Sequence, residues 1–476
     1  MSGISVKTYE GPSVSIPAAA VDALRGGLRG GLCLPGEAGY EEARTIWNAM
    51  IDKRPAAVVR AADASDVVRT VRLAAEHRLL LAVRGGGHNI AGSAVCDGGL
   101  MLDLSLMRAV RVDAGTRTAR VEPGARLGDL DRETQAFGLA TPVGINSTTG
   151  LAGLLLGGGF GWLSRKLGLT IDNLISADVV TASGERLHAS AKDNPDLFWS
   201  VRGGGGNFGV VTSFELKLHP VGPQVIAGLV VHPLANAKAV LDGYRKAAAQ
   251  APDEMCCWVV MRKAPPLPFL APEVHGTDVV VLAMCHAGDL ASGEKAAAPF
   301  RAIGTPIADV VGPSPFVGWQ AAFDPLLTPG ERNYWKSHDF TEISDGLIDL
   351  LIDAVRTLPS PQCEIFLGHV GGAINRVPAD ATAYPHRNVE FVVNVHTRWS
   401  DARQDLECVA WARGLYEGAA EYATGGVYVN FMPADEAPRI RTGAYGRNYD
   451  RLATLKTKYD PSNLFRLNQN IVPAGR

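Results

Sequence analysis

"LAVRGGGHNIAG", Leu81 to Gly92, decides how this chain is read. An apolar run typical of a buried strand ends in an arginine, three glycines, a histidine and an asparagine. Glycines without Cβ let the backbone crowd against a flat or phosphorylated ligand, and successive N–H groups there form an anion nest. Upstream, "PAAVVR" (55–60) reads as a strand. "SDVVRTVRLAAEH" (65–77) reads as a helix with Val67, Val71, Ala74 and Ala75 on one face and Ser65 placed to cap it. The glycines therefore follow the second strand of a strand–helix–strand unit. A Rossmann fingerprint has them after the first strand and before the helix, so the ordinary nicotinamide-nucleotide unit does not fit.

Two further glycine clusters, at 157–161 and 203–209, share the first half of the chain with this one. "GINSTTG" (144–150) adds the hydroxyls of Ser147, Thr148 and Thr149, suited to diphosphate oxygens, and Arg84 can neutralise charge. Three such clusters point to a dinucleotide laid along a groove. Between them lie short strands ("LMLDLS", "AVRVDA", "TARVEPG"), a helix around "LGDLDRETQAFGL" and a hairpin turning at Ser183-Gly184. A long strand closes the half, with Phe214, Leu216 and Leu218 opposed to Glu215 and Lys217, which predicts one wet face.

"HPVGP" (219–223) reads as a domain boundary. Beyond it, strands are predicted at 225–231, 256–262, 278–285, 363–369, 389–395 and 426–431. Helices are predicted near 235–250, 290–302, 344–358 and 402–418. Helix 344–358 has Ser344 as its cap, Leu347, Leu351, Ala354 and Leu358 on one face, and Pro359 to stop it. An antiparallel sheet with helices is expected.

The bulk numbers bound the function. With 476 residues, 46% apolar and 20% charged, the chain has the composition of an ordinary globular protein. The net charge of −3 carries no long run of either sign, so neither a nucleic-acid surface nor an anionic-membrane surface is indicated. No segment approaches the roughly 20 apolar residues of a membrane helix, and the N-terminus shows no charged-then-apolar leader. Seven cysteines (33, 96, 256, 257, 285, 363 and 408) show no CxxC pair and no finger spacing. They fit buried thiols in a reducing compartment, and a cytoplasmic location is the expectation. No metal site is expected.

Four readings of His88 stand on the residues alone. As a metal ligand it lacks HxH or HxxxH partners. It can be a buried structural histidine, a general base facing a substrate, or a nucleophile whose neutral nitrogen attacks the activated 8-methyl carbon of a flavin ring.

"RGGGHNIAG" resembles the histidyl-attachment loop of the berberine bridge enzyme-like flavoproteins, within the vanillyl-alcohol oxidase group. The resemblance extends over nearly the whole chain: "PAAVVRAADASDVVRTVRLA", "GLMLDLSLMRAVRVD", "GLLLGGGFGWLSRKLGL", "LFWSVRGGGGNFGVVTSFELKL", "YPHR" at 384–387 and the terminal "YDPSNLFRLNQNI". It implies an α+β protein: a two-part FAD-binding domain of the p-cresol methylhydroxylase type (1–218), a substrate domain with an antiparallel sheet flanked by helices (219–431), and a C-terminal segment (432–476) returning to the FAD-binding domain. It implies FAD bound covalently through His88. Arg84, Gly85, Gly86, Gly87 and Asn89 would wrap the diphosphate, and Asn146, Ser147, Thr149 and Gly150 would lie along the flavin and its linker. Gly153, Gly158 and Gly161 would shape a second wall, Val210 and Val211 would contact the adenine side, and Asn468 and Asn470 would return from the C-terminus. Members with two covalent links carry a cysteine in the segment matching "GINSTTG". Asn146 stands there, so a single histidyl link is expected.

On the substrate side, Tyr334, Lys336 and His338 alternate in "ERNYWKSHDF" and would share one face of a strand. Lys336 is read as a candidate catalytic or flavin-tuning amine, with Tyr334 beside it. In "VYVNF", Tyr428 and Asn430 would share one face of a short strand, with Asn430 near substrate or flavin. The implied reaction is hydride transfer from a CH–OH or CH–NH bond of a small organic substrate to flavin N5, with molecular oxygen restoring the flavin and yielding hydrogen peroxide. A flavin dehydrogenase with another acceptor, and a drug-binding resistance flavoprotein with little turnover, are the competing readings. Substrate identity and oligomeric state are not legible.

Overall fold

The computed structural model describes residues 3–475. The unit around the quoted loop is a four-stranded sheet in the order Gly31–Cys33, Ala57–Arg60, Leu100–Asp103, Leu81–Arg84, with the last two pairings parallel. Helix Ala64–Glu76 crosses between the two outer parallel strands and buries Val67, Val71 and Ala74. Its cap is Asp63, whose carboxylate accepts from Ser65 N and Asp66 N. The expected cap, Ser65, sits two residues inside, because the longer-reaching carboxylate satisfies both free amides.

A second, five-stranded antiparallel sheet runs Arg186–Ser190, Leu174–Val180, Val210–Lys217, Thr118–Val121, Val110–Asp113. Phe214, Leu216 and Leu218 are buried, while Lys217 is exposed. Two of the three glycine clusters sit at strand ends, 85–87 after Leu81–Arg84 and 203–209 before Val210–Lys217, while 157–161 lies between helices Leu151–Leu156 and Ser164–Leu167.

From Gln224 the chain builds one large antiparallel sheet. Its order is Ala308–Asp309, Gln224–Pro233, Asp278–His286, Met255–Lys263, Glu364–His369, Phe391–Trp399, Arg332–Phe340, with Gly312–Pro315 also paired to Gln224–Pro233. Helices Ala237–Gln250, Leu290–Arg301, Asp345–Val355 and Asp405–Ala419 cover one face. Met255, Cys257, Val259 and Met261 point into that layer, beside Tyr244, Phe300, Leu351 and Cys408. The alternate residues Cys256 and Trp258 belong to the core shared with the first half of the chain. Both faces are covered, so all nine residues of Phe391–Trp399 are buried. Ser344 caps its helix as expected, accepting from Leu347 N. The strand expected at 426–431 does not form. Val429–Phe431 is a 3-10 turn, and Tyr428 and Asn430 meet through a hydrogen bond instead of lying side by side on a strand.

The C-terminal stretch comes back to the first half through Lys456. Its side chain is wholly buried in helix Tyr449–Tyr459, and Nζ donates to Asn207 O at 2.7 Å, Phe465 O at 3.0 Å and Asp460 Oδ2 at 2.7 Å. Burial pushes the ammonium down to about 8, and Asp460 opposes that shift. A buried ion pair broken on one side leaves an uncompensated charge. Replacement of Lys456 by Met is therefore expected to cost about 3–5 kcal/mol and lower the thermal midpoint. An unchanged midpoint in a melting scan would contradict this role.

Candidate functional site

One cavity of about 340 Å³ lies between the glycine-bearing strand ends and the inner face of the large sheet. Its floor is made possible by an exclusion of side chains. A Cβ on Gly86 would lie 2.4 Å from both N and Cα of Gly150, and a Cβ on Gly150 would lie 2.3 Å from Gly86 N. Only a glycine pair lets the His88 loop and the Thr148–Thr149 loop touch. The second loop is pinned from behind, with Leu127 N bonded to Thr149 O and Leu151 N to Ala125 O, both at 2.9 Å.

His88 lines this cavity. Its ring stacks on Trp47 with centroids 5.0 Å apart and planes 20° apart. Nε2 lies 3.3 Å from Thr148 Oγ1, and Nδ1 lies 3.5 Å from Thr149 Oγ1. Burial, and secondarily the Arg126 guanidinium, push its pKa down to about 3, so at neutral pH the imidazole is uncharged and keeps a nitrogen lone pair. Trp47 is held in turn by its backbone N to Gly87 O at 3.1 Å and by Nε1 to Leu327 O at 3.3 Å.

Gly85, Gly86, Gly87, Asn89, Asn146, Thr149, Gly150, Gly153, Val210, Val211 and Asn468 also line the cavity. Five expected residues do not. Arg84 turns away, giving Nε and Nη2 to the two oxygens of Asp103 at 2.9 and 3.0 Å and Nη1 to Ala43 O and Thr45 O. A fully buried Asp103 needs a cation more than the cavity does. Ser147 gives N and Oγ to Asp324. Gly158 packs on Tyr384 and Tyr428, and Gly161 backs onto Val143 O, where a Cβ would come within 1.9 Å. Asn470 lies off the wall. The neighbouring Gly157 takes the place expected of Gly158.

The residues present fit a dinucleotide with a flat ring. Gly153 has nothing within 4 Å of a built Cβ, Gly206 only the amide nitrogen of Asn468 at 4.0 Å, and Asn468 Oδ1 is buried without a partner. These are cradles whose open space a ligand can fill. No cysteine lines the cavity among the described residues, and no cluster of potential metal ligands occurs among them.

The substrate-side expectation needs correction. Tyr334, Lys336 and His338 do share a face, but it is the helix-covered one. Lys336 Nζ pairs with Glu436 at 2.9 Å, Tyr334 donates to Asp435 at 2.7 Å, and His338 stacks on Tyr416 at 4.1 Å. Trp335, of opposite parity, lines the cavity. It heads a cross-strand row, His396 opposite Trp335, Glu364 opposite His396 and Arg262 opposite Glu364. Phe366 and Asn394 form the adjacent row. Asn430 lines the cavity as expected, its Nδ2 donating to Leu154 O at 3.0 Å and Tyr428 Oη at 2.9 Å. Trp47, Trp258, Trp335, Glu364, Phe366, Asn394 and His396 are wall residues that sequence reading missed. The available signal was the polar alternation Asn394, His396, Arg398 inside an otherwise apolar strand.

Residues 55–190 match the family model described as FAD binding domain, and 427–472 match berberine and berberine like. An FAD-linked oxidoreductase of Dictyostelium discoideum is 34% identical over 90% of this chain and 91% of its own length. The chain belongs to the berberine bridge enzyme-like FAD-linked oxidoreductases. Another member of this berberine bridge enzyme-like family, (R)-6-hydroxynicotine oxidase of Paenarthrobacter nicotinovorans, is 31% identical over 94% of this chain and 98% of its own. The solved 6-hydroxy-D-nicotine oxidase from Arthrobacter nicotinovorans superposes with a TM-score of 0.83 at 28% identity, covering 93% of this chain and 98% of that one. The two-part first half, the helix-flanked antiparallel sheet and the returning C-terminus are thus a berberine bridge enzyme-like fold, and the protein is an FAD-dependent oxidoreductase.

The glycine contact gives a direct test. Gly86→Ala forces the two loops apart at a strain of about 1–3 kcal/mol, or roughly 5- to 150-fold in flavin affinity. The purified variant is expected to show a reduced flavin-to-protein absorbance ratio with an unaltered far-UV circular dichroism spectrum. Full flavin content would show that the loop contact does not shape the site.

Proposed function

We propose that this protein is an oxidase carrying FAD on a single covalent bond to His88, oxidising a CH–OH or CH–NH bond of a small organic substrate and returning the electrons to molecular oxygen as hydrogen peroxide. The observation that carries the reading is a neutral imidazole on the cavity wall, held by Trp47 and two threonine hydroxyls, with no cysteine on that wall among the described residues. FAD, when bound, supplies the two-electron acceptor.

The chain's own contribution is positional. An uncharged His88 has the lone pair a nucleophile needs, and stacking on Trp47 limits its ring to one orientation. Asn146 occupies the place of a second linking cysteine. Its Oδ1 accepts from Thr148 N at 2.9 Å and Thr148 Oγ1 at 2.6 Å, so it orients the Thr148 hydroxyl beside His88 and forms no bond to a cofactor. The glycine cradles suit a phosphate-bearing linker, and the aromatic inner face of the sheet suits an organic substrate held close to the reacting ring.

Acid precipitation separates the outcomes. Wild-type protein is expected to keep its yellow colour in the pellet, whereas His88→Ala is expected to release all of it to the supernatant. Colour released from the wild type, or retained by the variant, would overturn the tether. Peroxide equimolar with substrate consumed is expected under air, and dye reduction without peroxide would place the protein among the dehydrogenases.

A further inference from the structure

The inner face of the large sheet carries an acid, an imidazole and a guanidinium that the flavin does not explain. Glu364 Oε2 accepts from Arg262 Nη1 at 2.5 Å, and Glu364 Oε1 meets His396 Nδ1 at 2.9 Å. All three side chains are buried. Burial raises the Glu364 carboxyl, but Arg262, His396 and Arg398 outweigh it and hold the group at about 2. Glu364 is therefore a carboxylate that only accepts, and His396 Nδ1 must carry the hydrogen. The remaining nitrogen, Nε2, is then a lone pair. It is buried and meets no hydrogen-bond partner. Trp335 stands edge-on to the ring at 4.5 Å, and both residues line the cavity. A base oriented by a buried carboxylate, with its other nitrogen unspent, is the arrangement of a general base.

The charge of the wall narrows what that base serves. Among the described residues, Glu364 is the only acidic side chain lining the cavity, and no Lys or Arg lines it. Both Glu364 oxygens are taken. An ammonium ion would enter with no free carboxylate and a carboxylate ion with no free cation, each at a steep desolvation cost. Trp258, Phe366 and Phe431 supply apolar wall instead. A side cavity of about 70 Å³ opens beyond Trp258 and Phe366; Leu229, Val260 and Leu267 are among its mostly apolar lining, and its charged lining residues, Arg262 and Glu364, are paired with each other.

Resting on the proposed oxidase reading, we infer that the substrate is an uncharged, largely apolar alcohol whose hydroxyl gives its proton to His396. In the balanced step, the O–H proton goes to His396 Nε2, the carbinol hydrogen leaves with its electron pair to the family's FAD, and the C–O single bond becomes a carbonyl. The two electrons lost by carbon are those the cofactor gains, and the imidazolium returns its proton to water. Glu364 and Arg262 act as positioning residues. Asn394, whose Oδ1 is also without a partner, lies on the adjacent row and is available to the same hydroxyl or its carbonyl product.

Two readouts test this on the flavin-loaded protein. The first is binding, followed by quenching of the cavity tryptophans, with 1-phenylethanol and 1-phenylethylamine as probes of one shape and different charge. At pH 7 the alcohol is expected to bind at least about tenfold more tightly, as loss of a buried charge's solvation requires. Equal or tighter binding of the amine, or no quenching by the alcohol, overturns the substrate class. The second is the pH profile of anaerobic flavin bleaching by 1-phenylethanol. The charged groups around His396 are Glu364 and, through it, Arg262 and Arg398, with neutral His88 across the cavity. His396→Gln is expected to slow bleaching by about 10²-fold or more and to abolish the acid limb seen in the wild type. Glu364→Gln is expected to shift that limb while leaving acetophenone binding within a few fold. An acid limb unchanged in His396→Gln overturns the base. Flavin retention after acid precipitation is scored separately, so a failed tether and a failed base are distinguished.

Discussion

The close contact of Gly86 with Gly150 is the constraint on which this molecule's site depends. Each backbone occupies the space where the other's Cβ would be. That approach brings the loop bearing His88 within reach of the Thr148 and Thr149 hydroxyls, and it fixes the floor of the cavity. The same loop is fastened to the large sheet by residues 47–49. Trp47 N bonds to Gly87 O, Asn48 Nδ2 to Ile90 O and Asn333 O, and Ala49 N to Glu331 O. The His88 loop and the inner face of the large sheet are thus registered against each other by one short segment, so a shift in either changes the spacing across the cavity, the quantity that positional catalysis is most sensitive to.

The fold was legible where local chemistry is unambiguous. Strand–helix–strand order, the Ser183-Gly184 hairpin, the capped helix after Ser344 and five of six strands in the second half all followed from periodicity and turn residues. The His88 loop was legible because three glycines followed by an imidazole have few uses. What failed was assignment of a face. Strand Arg332–Phe340 has chemistry on both parities, Tyr334, Lys336 and His338 on one, Trp335, Ser337 and Asp339 on the other. Alternation defines two sets but not which one meets the cavity when both faces are buried. The answer lies in partners far along the chain: Glu436 and Asp435 take the lysine and tyrosine, and His396 takes the tryptophan. Arg84 and Ser147 went the same way. Each sits in the right loop, yet Asp103 and Asp324 claim their donors, and neither acid is near them in sequence.

The buried polar row on the large sheet shows how such partners are chosen. A carboxylate, a guanidinium and an imidazole inside a sheet covered on both faces stabilise the protein less than apolar residues of the same volume would. Their hydrogen bonds offset desolvation only if each oxygen and nitrogen is used, and here both Glu364 oxygens are. The unmatched atom among these three side chains is one imidazole nitrogen, and Nε1 of Trp335 at the head of the row is unpartnered as well. Uncompensated groups concentrate where chemistry happens, and the imidazole stands on the cavity wall beside Glu364, while Arg262 lies off that wall.

The two histidines of the site are therefore different devices built from the same side chain. His88 is kept neutral by burial and by a nearby guanidinium, with an aromatic ring and hydroxyls around it and no carboxylate in contact. That environment favours a nitrogen that forms a bond and disfavours one that takes up a proton. His396 has a carboxylate accepting from its Nδ1, which fixes the tautomer and leaves Nε2 without a hydrogen-bond partner. Exchange of their surroundings would exchange their chemistry. The two environments meet at one cavity because one histidine comes from a glycine turn of the first half and the other from a strand of the large sheet in the second. The returning C-terminus, tied down by Lys456 on Asn207 and Phe465, brings Phe465, Leu467 and Asn468 to the wall opposite the sheet. The site thus exists only when segments from both ends and the middle of the chain are assembled, which is why its glycine-lined half could be read locally and its substrate-facing half could not.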